Sequence, residues 1–261
     1  MARIAGVSGG GGAESLDLSL VLACYNEEPL LVQSVKDIVA VLEASRLSYE
    51  IIFVDDASRD RTRSLIDMIL REYQGRTTMR ALFHDRNIGR GGAVQDGFRA
   101  ARGEIIGYLD VDLEIQALAI LACVLAIRRG CDVAVAKRLY AFTWRSVDRN
   151  ILSKGYAWLV RRVLGIRELT DTESGCKFFR RDTLGPVLQQ CEHMGWFWDT
   201  EIMVRCHAAG LRMTEVPLLY LRRFDKPSSV RPWKDAMDYF VQLLRFRTKM
   251  AQAHTKEPVS S

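Results

Sequence analysis

Short apolar runs alternate with amphipathic segments along the first half of the chain. The apolar runs are rich in β-branched and aromatic residues, which is typical of buried strands, and the amphipathic segments have apolar residues at helical spacing. Strands are expected at Leu16–Ala23, Glu50–Val54, Thr78–Phe83, Ile105–Leu109 and Cys131–Ala136. Helices are expected between them, at Glu27–Ala44 (capped by Asn26), Thr62–Tyr73, Gly89–Ala101 and Ile115–Arg129. This alternation predicts an α/β fold with a Rossmann-like, mainly parallel sheet and helices on both faces.

The regular alternation ends after Lys137. The pattern then predicts a helix, a polar loop, a strand, a helix, a strand and a final helix, at Ser146–Leu164, Leu169–Cys176, Lys177–Arg180, Trp198–Ala209, Met213–Leu221 and Asp235–Lys249. No stretch is long enough to link two independent domains. We therefore expect a flexible N-terminus over residues 1–15, one domain over 16–230 with a less regular C-terminal subregion, an amphipathic helix over 231–250 and a flexible tail over 251–261.

Composition places the chain among ordinary globular proteins. It has 261 residues, of which 48% are hydrophobic and 26% charged, and a net charge of +5. That charge suits an anionic ligand or an anionic membrane surface, but it is too small to indicate nucleic-acid binding. The six cysteines show no zinc-ligand spacing and are expected to be reduced. No signal peptide and no apolar run of about 20 residues is present, which predicts a cytoplasmic location.

Two aspartates at the end of one predicted strand are the main candidates for chemistry. Asp110 and Asp112 follow the run Ile105–Leu109 and are separated by one residue. Open α/β sheets bind ligands at the carboxyl ends of their strands, and two carboxylates there need a positive partner. Mg²⁺ favours one or two carboxylates together with phosphate oxygens, so a cation-bridged diphosphate would satisfy both. The alternative for an isolated pair is a strand-end turn in which one aspartate caps the next helix.

Polar clusters also follow other strands of the predicted sheet. Tyr25 and Glu27 come after the first strand, Asp55 comes after the second, and a glycine-rich turn over residues 87–93 precedes a helix. Carboxylates at these ends can accept hydrogen bonds from a nucleoside, and a glycine-rich helix start can approach an anion closely. The motifs typical of dinucleotide-binding folds, P-loop proteins and serine hydrolases are missing.

These clusters together resemble a known family. The sequences YNE at 25–27, DDASRD at 55–60, NIGRGGA at 87–93 and DVD at 110–112 resemble the nucleotide-sugar half of family 2 glycosyltransferases, which have the GT-A fold. The sequences AKR at 136–138, RNILS at 149–153, TESGCK at 172–177 and EVP at 215–217 are similar to the dolichyl-phosphate mannose and glucose synthases. Those enzymes transfer a sugar from a nucleotide diphosphate to a polyprenyl phosphate. The resemblance extends roughly from Leu16 to Val230.

The resemblance implies a role for particular residues on the donor side. Tyr25, Glu27 and Asp55 would surround the nucleoside of a donor such as GDP-mannose or UDP-glucose. Asp110 and Asp112 would hold the diphosphate through Mg²⁺ or Mn²⁺, with Asp112 closest to the metal. The choice among donors stays open, because base selection depends on the backbone geometry of the loops.

The resemblance implies that the C-terminal subregion is the acceptor side, where the phosphate-binding residues would be Arg138, Arg149, Ser153 and Arg223. A lipid phosphate is already ionised at neutral pH, so it needs no general base. Arginine can hold two anionic groups close together and neutralise the departing diphosphate. We therefore expect an in-line displacement at the anomeric carbon with inversion. Residues 223–229 depart from the family pattern in lacking the glycine before serine and the lysine after it.

Two alternatives remain open on the sequence. One is a family 2 transferase that acts on a sugar hydroxyl of a glycolipid or polysaccharide, with Asp199 as the base; otherwise Asp199 and Glu201 would order the acceptor loop or contact the sugar. The other is a non-catalytic nucleotide-sugar-binding protein. For Trp196 and Trp198, packing in the core and stacking on a sugar or lipid are equally compatible with the sequence. The C-terminal helix could lie on a membrane surface, giving a peripheral location, or pack on the protein.

Overall fold

The computed structural model describes residues 3–6, 16–140, 171–221 and 241–249. Within these residues eight strands form one sheet, in the spatial order β1-β4-β3-β2-β5-β7-β6-β8. The strands are β1 (Arg3–Gly6), β2 (Leu18–Cys24), β3 (Tyr49–Asp55), β4 (Thr78–Phe83), β5 (Ile105–Leu109), β6 (Val133–Tyr140), β7 (Cys176–Arg180) and β8 (Met213–Tyr220). The helices are α1 (Leu31–Ser45), α2 (Thr62–Glu72), α3 (Arg90–Ala100), α4 (Ala119–Arg128), α5 (Arg181–Leu188) and α6 (Trp198–Ala208).

The strand directions bring the polar clusters to one edge of the sheet. Strands β2, β3, β4 and β5 pair in parallel, and β6 runs the same way because it is antiparallel to β7, which is itself antiparallel to β5. Only β1 and β7 of the eight described strands run in the opposite direction. The carboxyl ends of β2, β3, β5 and β6 therefore share an edge with the amino end of β7. We call this the carboxyl edge.

The core lies on both faces of the sheet. Alternate residues of β2 point to opposite faces, so Leu20 and Leu22 join one buried cluster while Val21 joins the other. Helices α1, α2 and α4 supply apolar residues to the first cluster, and α3, α5 and α6 supply them to the second. The central strands are consequently buried on both sides, as their continuous apolar sequences predict. The predicted α/β sheet with helices on both faces is confirmed.

Two predicted helices begin later than the sequence pattern indicated. Helix α1 starts at Leu31 rather than Glu27, and Asn26 does not cap it. Asn26 instead has a φ of 57°, and its side chain accepts a hydrogen bond from the Arg59 N–H at 2.8 Å. Helix α4 starts at Ala119 rather than Ile115, because Ile115 forms a β-bridge with Tyr220. In both cases a long-range contact overrides the local helical pattern.

Two elements were not predicted. Helix α5 contains Gly185 and Pro186, which local propensity penalises inside a helix, but Leu184, Val187 and Leu188 are buried on the sheet. Strand β1 lies in the segment expected to be a flexible N-terminus, and it pairs antiparallel with β4 at the edge of the sheet. The unpaired backbone groups of an edge strand are a template for such pairing.

The described part of the C-terminal helix, residues 241–249, contacts the protein. Leu243 and Phe246 are buried, and the Phe246 ring lies 5.7 Å from that of Phe197. These two apolar side chains thus pack on the core, while Val241 and Leu244 are exposed. No helix in the described ranges has both the length and the apolar character needed to cross a membrane.

Candidate active site at the carboxyl edge

The loops that follow β2 and β3 are bound to each other. The N–H of Asn26 donates to Ser58 Oγ at 3.0 Å, and the N–H of Glu27 donates to Thr62 Oγ1 at 2.7 Å. The predicted nucleoside contacts Tyr25, Glu27 and Asp55 all lie in or beside these two loops. Tyr25 is 41% exposed, so its ring is accessible to a ligand, and Glu27 is half-buried.

Asp55 has an unusual environment for a carboxylate. Its side chain is fully buried at the end of β3, and Oδ2 has no hydrogen-bond partner. A buried polar atom without a partner costs about 1–3 kcal/mol, which a hydrogen bond from a ligand would recover. This unsatisfied oxygen fits the predicted contact with a ribose or base.

Asp56, the next residue, organises the glycine-rich turn. Its carboxylate accepts hydrogen bonds from the N–H groups of Ile88 and Gly89, each at 2.9 Å, and from His84 Nδ1 at 2.8 Å. Burial disfavours the charged form of Asp56, but these bonds outweigh it and lower its pKa. The bond to Asp56 in turn raises the pKa of His84, against the effect of burial. This arrangement fixes the turn from which α3 begins at Arg90.

The loop after β5 carries the two predicted metal ligands. The N–H of Asp110 donates to the carbonyl of Gly175 at 2.9 Å, which ties this loop to the one before β7. Asp112 Oδ1 accepts from the N–H of Glu114 at 3.2 Å, and Leu113 between them has a φ of 50°. Both aspartates thus lie at the carboxyl edge, two strands from Asp55, which corresponds to about 10 Å.

Arg90 links Asp110 to a second carboxylate. Its Nη2 donates to Asp110 Oδ1 at 2.6 Å, and its Nη1 forms an ion pair with Asp199 Oδ2 at the start of α6. The guanidinium lies between the rings of Tyr108 and Trp196, with its central carbon 5.1 Å from each ring centroid. Burial opposes the charge of Arg90, but the two carboxylates outweigh it and raise its pKa well above the usual value.

Asp199 is held from its other side by Lys177. The Lys177 ammonium is fully buried and donates to Asp199 Oδ1 at 2.6 Å, to Tyr108 Oη at 2.7 Å and to the Ser174 carbonyl at 2.6 Å. The Tyr108 hydroxyl also donates to Asp199 Oδ1. Burial lowers the pKa of Lys177, although Asp199 opposes that effect. The pKa of Asp199 is lowered, because Arg90 and Lys177 outweigh its burial.

Arg138 is the one predicted acceptor-side arginine among the described residues. It forms a bidentate pair with Asp171, with Nε and Nη2 each 2.7 Å from a carboxylate oxygen. Burial disfavours its charge, but Asp171 outweighs burial and raises its pKa. Glu173 lies in the same loop, and burial raises its pKa to about 7 against the opposing effect of Arg138. This end of the edge therefore combines a fixed cation with a carboxyl group that titrates near neutrality.

The structure brings some predicted residues together and leaves others untested. Asp110 and Asp199 share the Arg90 guanidinium, whereas Asp55 and Arg138 belong to other parts of the carboxyl edge. Arg149, Ser153 and Arg223 lie outside the described residues, so their roles stay predictions. Of the two tryptophans, Trp198 is buried in the core, whereas Trp196 is 65% exposed and stacks on Arg90.

Sequence reasoning missed Arg90 and Lys177, although both left a signal. An arginine in the first turn of a helix is unfavourable with the helix dipole unless a carboxylate accompanies it. A lysine within the apolar strand Cys176–Arg180 must be paired if it is buried. Neither signal identifies the partner, which only the fold reveals.

The chemistry of the edge fits a divalent cation bound together with phosphate. Asp110 and Asp112 offer carboxylate oxygens, the ligand type that Mg²⁺ and Mn²⁺ prefer. In the described ranges no three His, Cys, Asp or Glu side chains converge tightly enough to hold a metal alone.

The sequence of residues 19–185 matches the family model described as Glycosyl transferase family 2. The chain belongs to glycosyltransferase family 2. The predicted family and the predicted class of enzyme, a glycosyltransferase, are thereby confirmed.

Named relatives within this family share much of the chain. Glycosyltransferase AglD of Haloferax volcanii is 32% identical over 211 residues, covering 79% of this chain and 33% of AglD. Dolichyl-phosphate beta-glucosyltransferases of Drosophila melanogaster and Homo sapiens are 30% and 29% identical, covering 77% and 71% of this chain and 66% and 61% of their own lengths. The chain thus spans about a third of AglD and less than two thirds of these two glucosyltransferases.

Solved structures confirm the GT-A fold at low sequence identity. Mannosyl-3-phosphoglycerate synthase from Rubrobacter xylanophilus has a TM-score of 0.65 and 14% identity, covering 94% of this chain and 77% of that one. Glucosyl-3-phosphoglycerate synthase from Mycobacterium tuberculosis has a TM-score of 0.61 and 18% identity, covering 94% and 82%. That synthase was solved with Mn²⁺ and UDP, and also with Mg²⁺ and UDP.

Proposed function

We propose that this family 2 glycosyltransferase moves a hexose, with inversion, from a nucleotide-diphosphate sugar to a polyprenyl phosphate of the dolichyl type. The names of the relatives favour glucose over mannose as the hexose, since those of Drosophila melanogaster and Homo sapiens are dolichyl-phosphate beta-glucosyltransferases. The donor would then be of the UDP-glucose type rather than the GDP-mannose type.

The observation that carries the proposal is the meeting of acidic and basic side chains at the carboxyl edge. Asp55 ends β3, and Asp110 and Asp112 follow β5. The cations Arg90 and Arg138 lie on α3 and β6 at the same edge. Such a combination suits a reaction in which two phosphate-bearing molecules must be held together. Burying either phosphate group without cations would be strongly unfavourable.

Asp110 and Asp112 would hold the Mg²⁺ or Mn²⁺ at this site. The cation, when bound, would neutralise charge on the departing nucleoside diphosphate. The role of the protein would be to position these two carboxylates. The backbone hydrogen bond between Asp110 and Gly175 and the turn at Asp112 support this role. The buried Asp55 would accept hydrogen bonds from the nucleoside.

The surroundings of Asp199 favour a phosphate acceptor over a sugar hydroxyl. A hydroxyl acceptor needs a general base. Asp199 is buried, both of its oxygens are bound to cationic side chains, and its pKa is lowered. It is thus poorly suited to accept a proton, whereas a polyprenyl phosphate oxygen is ionised without help. Arg138, Arg149, Ser153 and Arg223 remain the proposed contacts for the acceptor phosphate or the diphosphate.

A polyprenyl acceptor implies that the reaction takes place at a membrane surface. We propose a peripheral position at the cytoplasmic face, where the net charge of +5 would favour contact with anionic lipids. Binding of the purified chain to anionic and to neutral vesicles would test this position. Equal binding to both, or to neither, would contradict it.

A donor panel tests the proposed reaction. The purified chain should be incubated with Mg²⁺ or Mn²⁺ and with UDP-glucose or GDP-mannose, with polyprenyl phosphate and a simple glycoside offered in parallel. We expect product on polyprenyl phosphate only. Product on the glycoside alone would support the second candidate, a family 2 transferase acting on a sugar hydroxyl. Nucleotide-sugar binding without any product would support a non-catalytic binding protein.

Substitution of Asp112 tests the metal assignment. Asp112→Ala should reduce turnover at least a hundredfold with little change in melting temperature, because the side chain lies in a loop at the edge. Asp112→Asn should keep the turn to the Glu114 N–H, since an amide oxygen can also accept that bond, but should lose the carboxylate. Similar turnover in Asp112→Asn and the wild type would contradict the assignment. Asp37→Asn, on the exposed face of α1, is the matched control.

A further inference from the structure

We propose that Asp199 is a positioning residue that, anchored by Lys177, shares the Arg90 guanidinium with Asp110 and so sets the cation affinity of the site. This inference rests on the proposed function, because it assigns to Asp110 the metal that the function requires. It gives Asp199 a role other than the base or sugar contact expected from the sequence.

The connectivity of the side chains supports the proposal. Lys177 contacts Asp199 Oδ1, Asp199 Oδ2 contacts Arg90 Nη1, and Arg90 Nη2 contacts Asp110 Oδ1 at 2.6 Å. Each member except Asp110 is nearly or fully buried, and the Asp110 side chain is 39% exposed. The series of contacts therefore runs from the buried Lys177 to the partly exposed carboxylate of Asp110.

The net charge of the cluster formed by Lys177, Asp199, Arg90 and Asp110 should affect the affinity of Asp110 for a cation. Arg90 and Lys177 carry two positive charges, and Asp110 and Asp199 carry two negative charges, so the cluster is neutral overall. Electrostatic interactions are screened weakly in such a buried place. A change of one charge within the cluster should therefore change the affinity of Asp110 for a divalent cation.

Asp199 also reduces the effect of the Arg90 charge on Asp110, because the guanidinium pairs with both carboxylates. The planar guanidinium spans two carboxylates and lies over the rings of Tyr108 and Trp196, which restricts its orientation. Without Asp199, the guanidinium would be paired with Asp110 alone, and the ammonium of Lys177 would lose its carboxylate. Both effects weaken cation binding at Asp110.

Two variants that change the charge of the cluster in opposite directions, Asp199→Asn and Lys177→Met, distinguish this role from a structural one. Mn²⁺ should be titrated into the full chain in the presence of UDP, with Mn²⁺ and UDP without protein as the blank, and the free ion should be followed by electron paramagnetic resonance. Asp199→Asn should bind Mn²⁺ about tenfold more weakly, the lower end of the usual effect of outer residues at metal sites. Lys177→Met, which leaves the cluster with one excess negative charge, should bind it more tightly. A merely structural role would weaken both variants alike, and that result would overturn the proposal.

A second measurement does not depend on metal or turnover. Nitrogen-15 NMR of arginine side chains should show slow proton exchange at the Nη groups of Arg90 in the wild type, because both donate to carboxylates, and faster exchange in Asp199→Asn. If Lys177→Met does not fold, this spectrum and the Asp199→Asn titration decide the matter. An unchanged Arg90 signal in Asp199→Asn would overturn the proposal, as would a wild type that binds no Mn²⁺ in the presence of UDP. Asp182→Asn, exposed on α5, is the control.

Kinetics add a further distinction. In Asp199→Asn the Mn²⁺ concentration for half-maximal transfer should rise about tenfold, and saturating Mn²⁺ should restore most of kcat. A kcat that stays low at every Mn²⁺ concentration would contradict a positioning role. If the wild type transfers no sugar at all, while the titration and the spectrum follow the expected pattern, the proposed function fails and this inference stands.

Discussion

The carboxylate of Asp110 occupies the space that a side chain on Gly175 would need. A Cβ atom built on Gly175 would overlap Oδ2 of Asp110, and the carbonyl of Gly175 accepts a hydrogen bond from the Asp110 N–H at 2.9 Å. An alanine at position 175 would therefore require the Asp110 carboxylate to move. The glycine is required for its lack of a side chain and not for an unusual φ angle.

Gly175→Ala should displace the Asp110 carboxylate while leaving the sheet intact. We expect at least a tenfold loss in Mn²⁺ affinity or kcat/KM, in the range known for displaced groups around metal sites, and a modest fall in melting temperature. Gly195→Ala is the matched control, because a Cβ at Gly195 would meet no atom within 4 Å. Equal losses in the two variants, or none in Gly175→Ala, would show that the fit between Gly175 and Asp110 is unimportant.

Asp55→Asn should weaken nucleotide binding without destabilising the protein. The substitution removes a buried carboxylate whose Oδ2 has no partner, so the free energy of unfolding should stay the same or rise. Hydrogen bonds to a charged group contribute about 1.5–3 kcal/mol, which corresponds to a loss of roughly tenfold to a hundredfold in affinity. Calorimetric titration with UDP and with GDP measures the loss of affinity, with Asp37→Asn as the control variant. Unchanged affinity would show that Asp55 does not contact the nucleoside.

Glu173 should make the free energy of unfolding fall as the pH rises from about 4.5 to about 7. Its pKa is raised by burial from the ordinary 4.5 to about 7, so the folded state binds this proton more tightly than the unfolded state does. The contribution is complete below pH 4.5 and is lost by the time the pH exceeds about 7, with a loss of up to about 3 kcal/mol. Glu173→Gln should lack this decrease. Unfolding in urea at pH 5 and pH 8 measures it.

A control for this experiment is Glu43→Gln, since Glu43 is exposed on α1 and pairs with Arg76 at 3.5 Å. It should keep the decrease seen in the wild type. Parallel curves for the wild type and Glu173→Gln between pH 5 and pH 8 would contradict the raised pKa.

His84 should also make the free energy of unfolding fall as the pH rises, in this case through its contact with Asp56. Its pKa is raised by the bond to Asp56, so the stabilisation is complete below the ordinary value of 6.5 and is lost as the pH rises through the higher folded value. His84→Gln should lower the free energy of unfolding by about 2 kcal/mol at pH 6, and the deficit should shrink at alkaline pH. His207→Gln, exposed on α6, is the control. A deficit that grows with pH would refute the charged pair.

Much of the fold was predictable from local pattern. The bounds of β4 and β5 agree with the predicted strands, because short β-branched and aromatic runs between polar turns have few other interpretations. Helix α5 was missed because Gly185 and Pro186 disfavour a helix locally, and burial of the helix on the sheet overrides them. Asn26 was misassigned because its partner, Arg59, lies in the loop after another strand.

The sequence by itself determined the chemical character of the site. Asp55, Asp110 and Asp112 follow apolar strands directly, and parallel strands place their carboxyl ends together, so these positions were predictable. Only the tertiary structure decided which cations accompany the carboxylates. Arg90 and Asp199 are 109 residues apart in sequence, and no local periodicity connects them. Their pairing follows from the packing of α3 and α6 on the same face of the sheet, where two buried charges must neutralise each other.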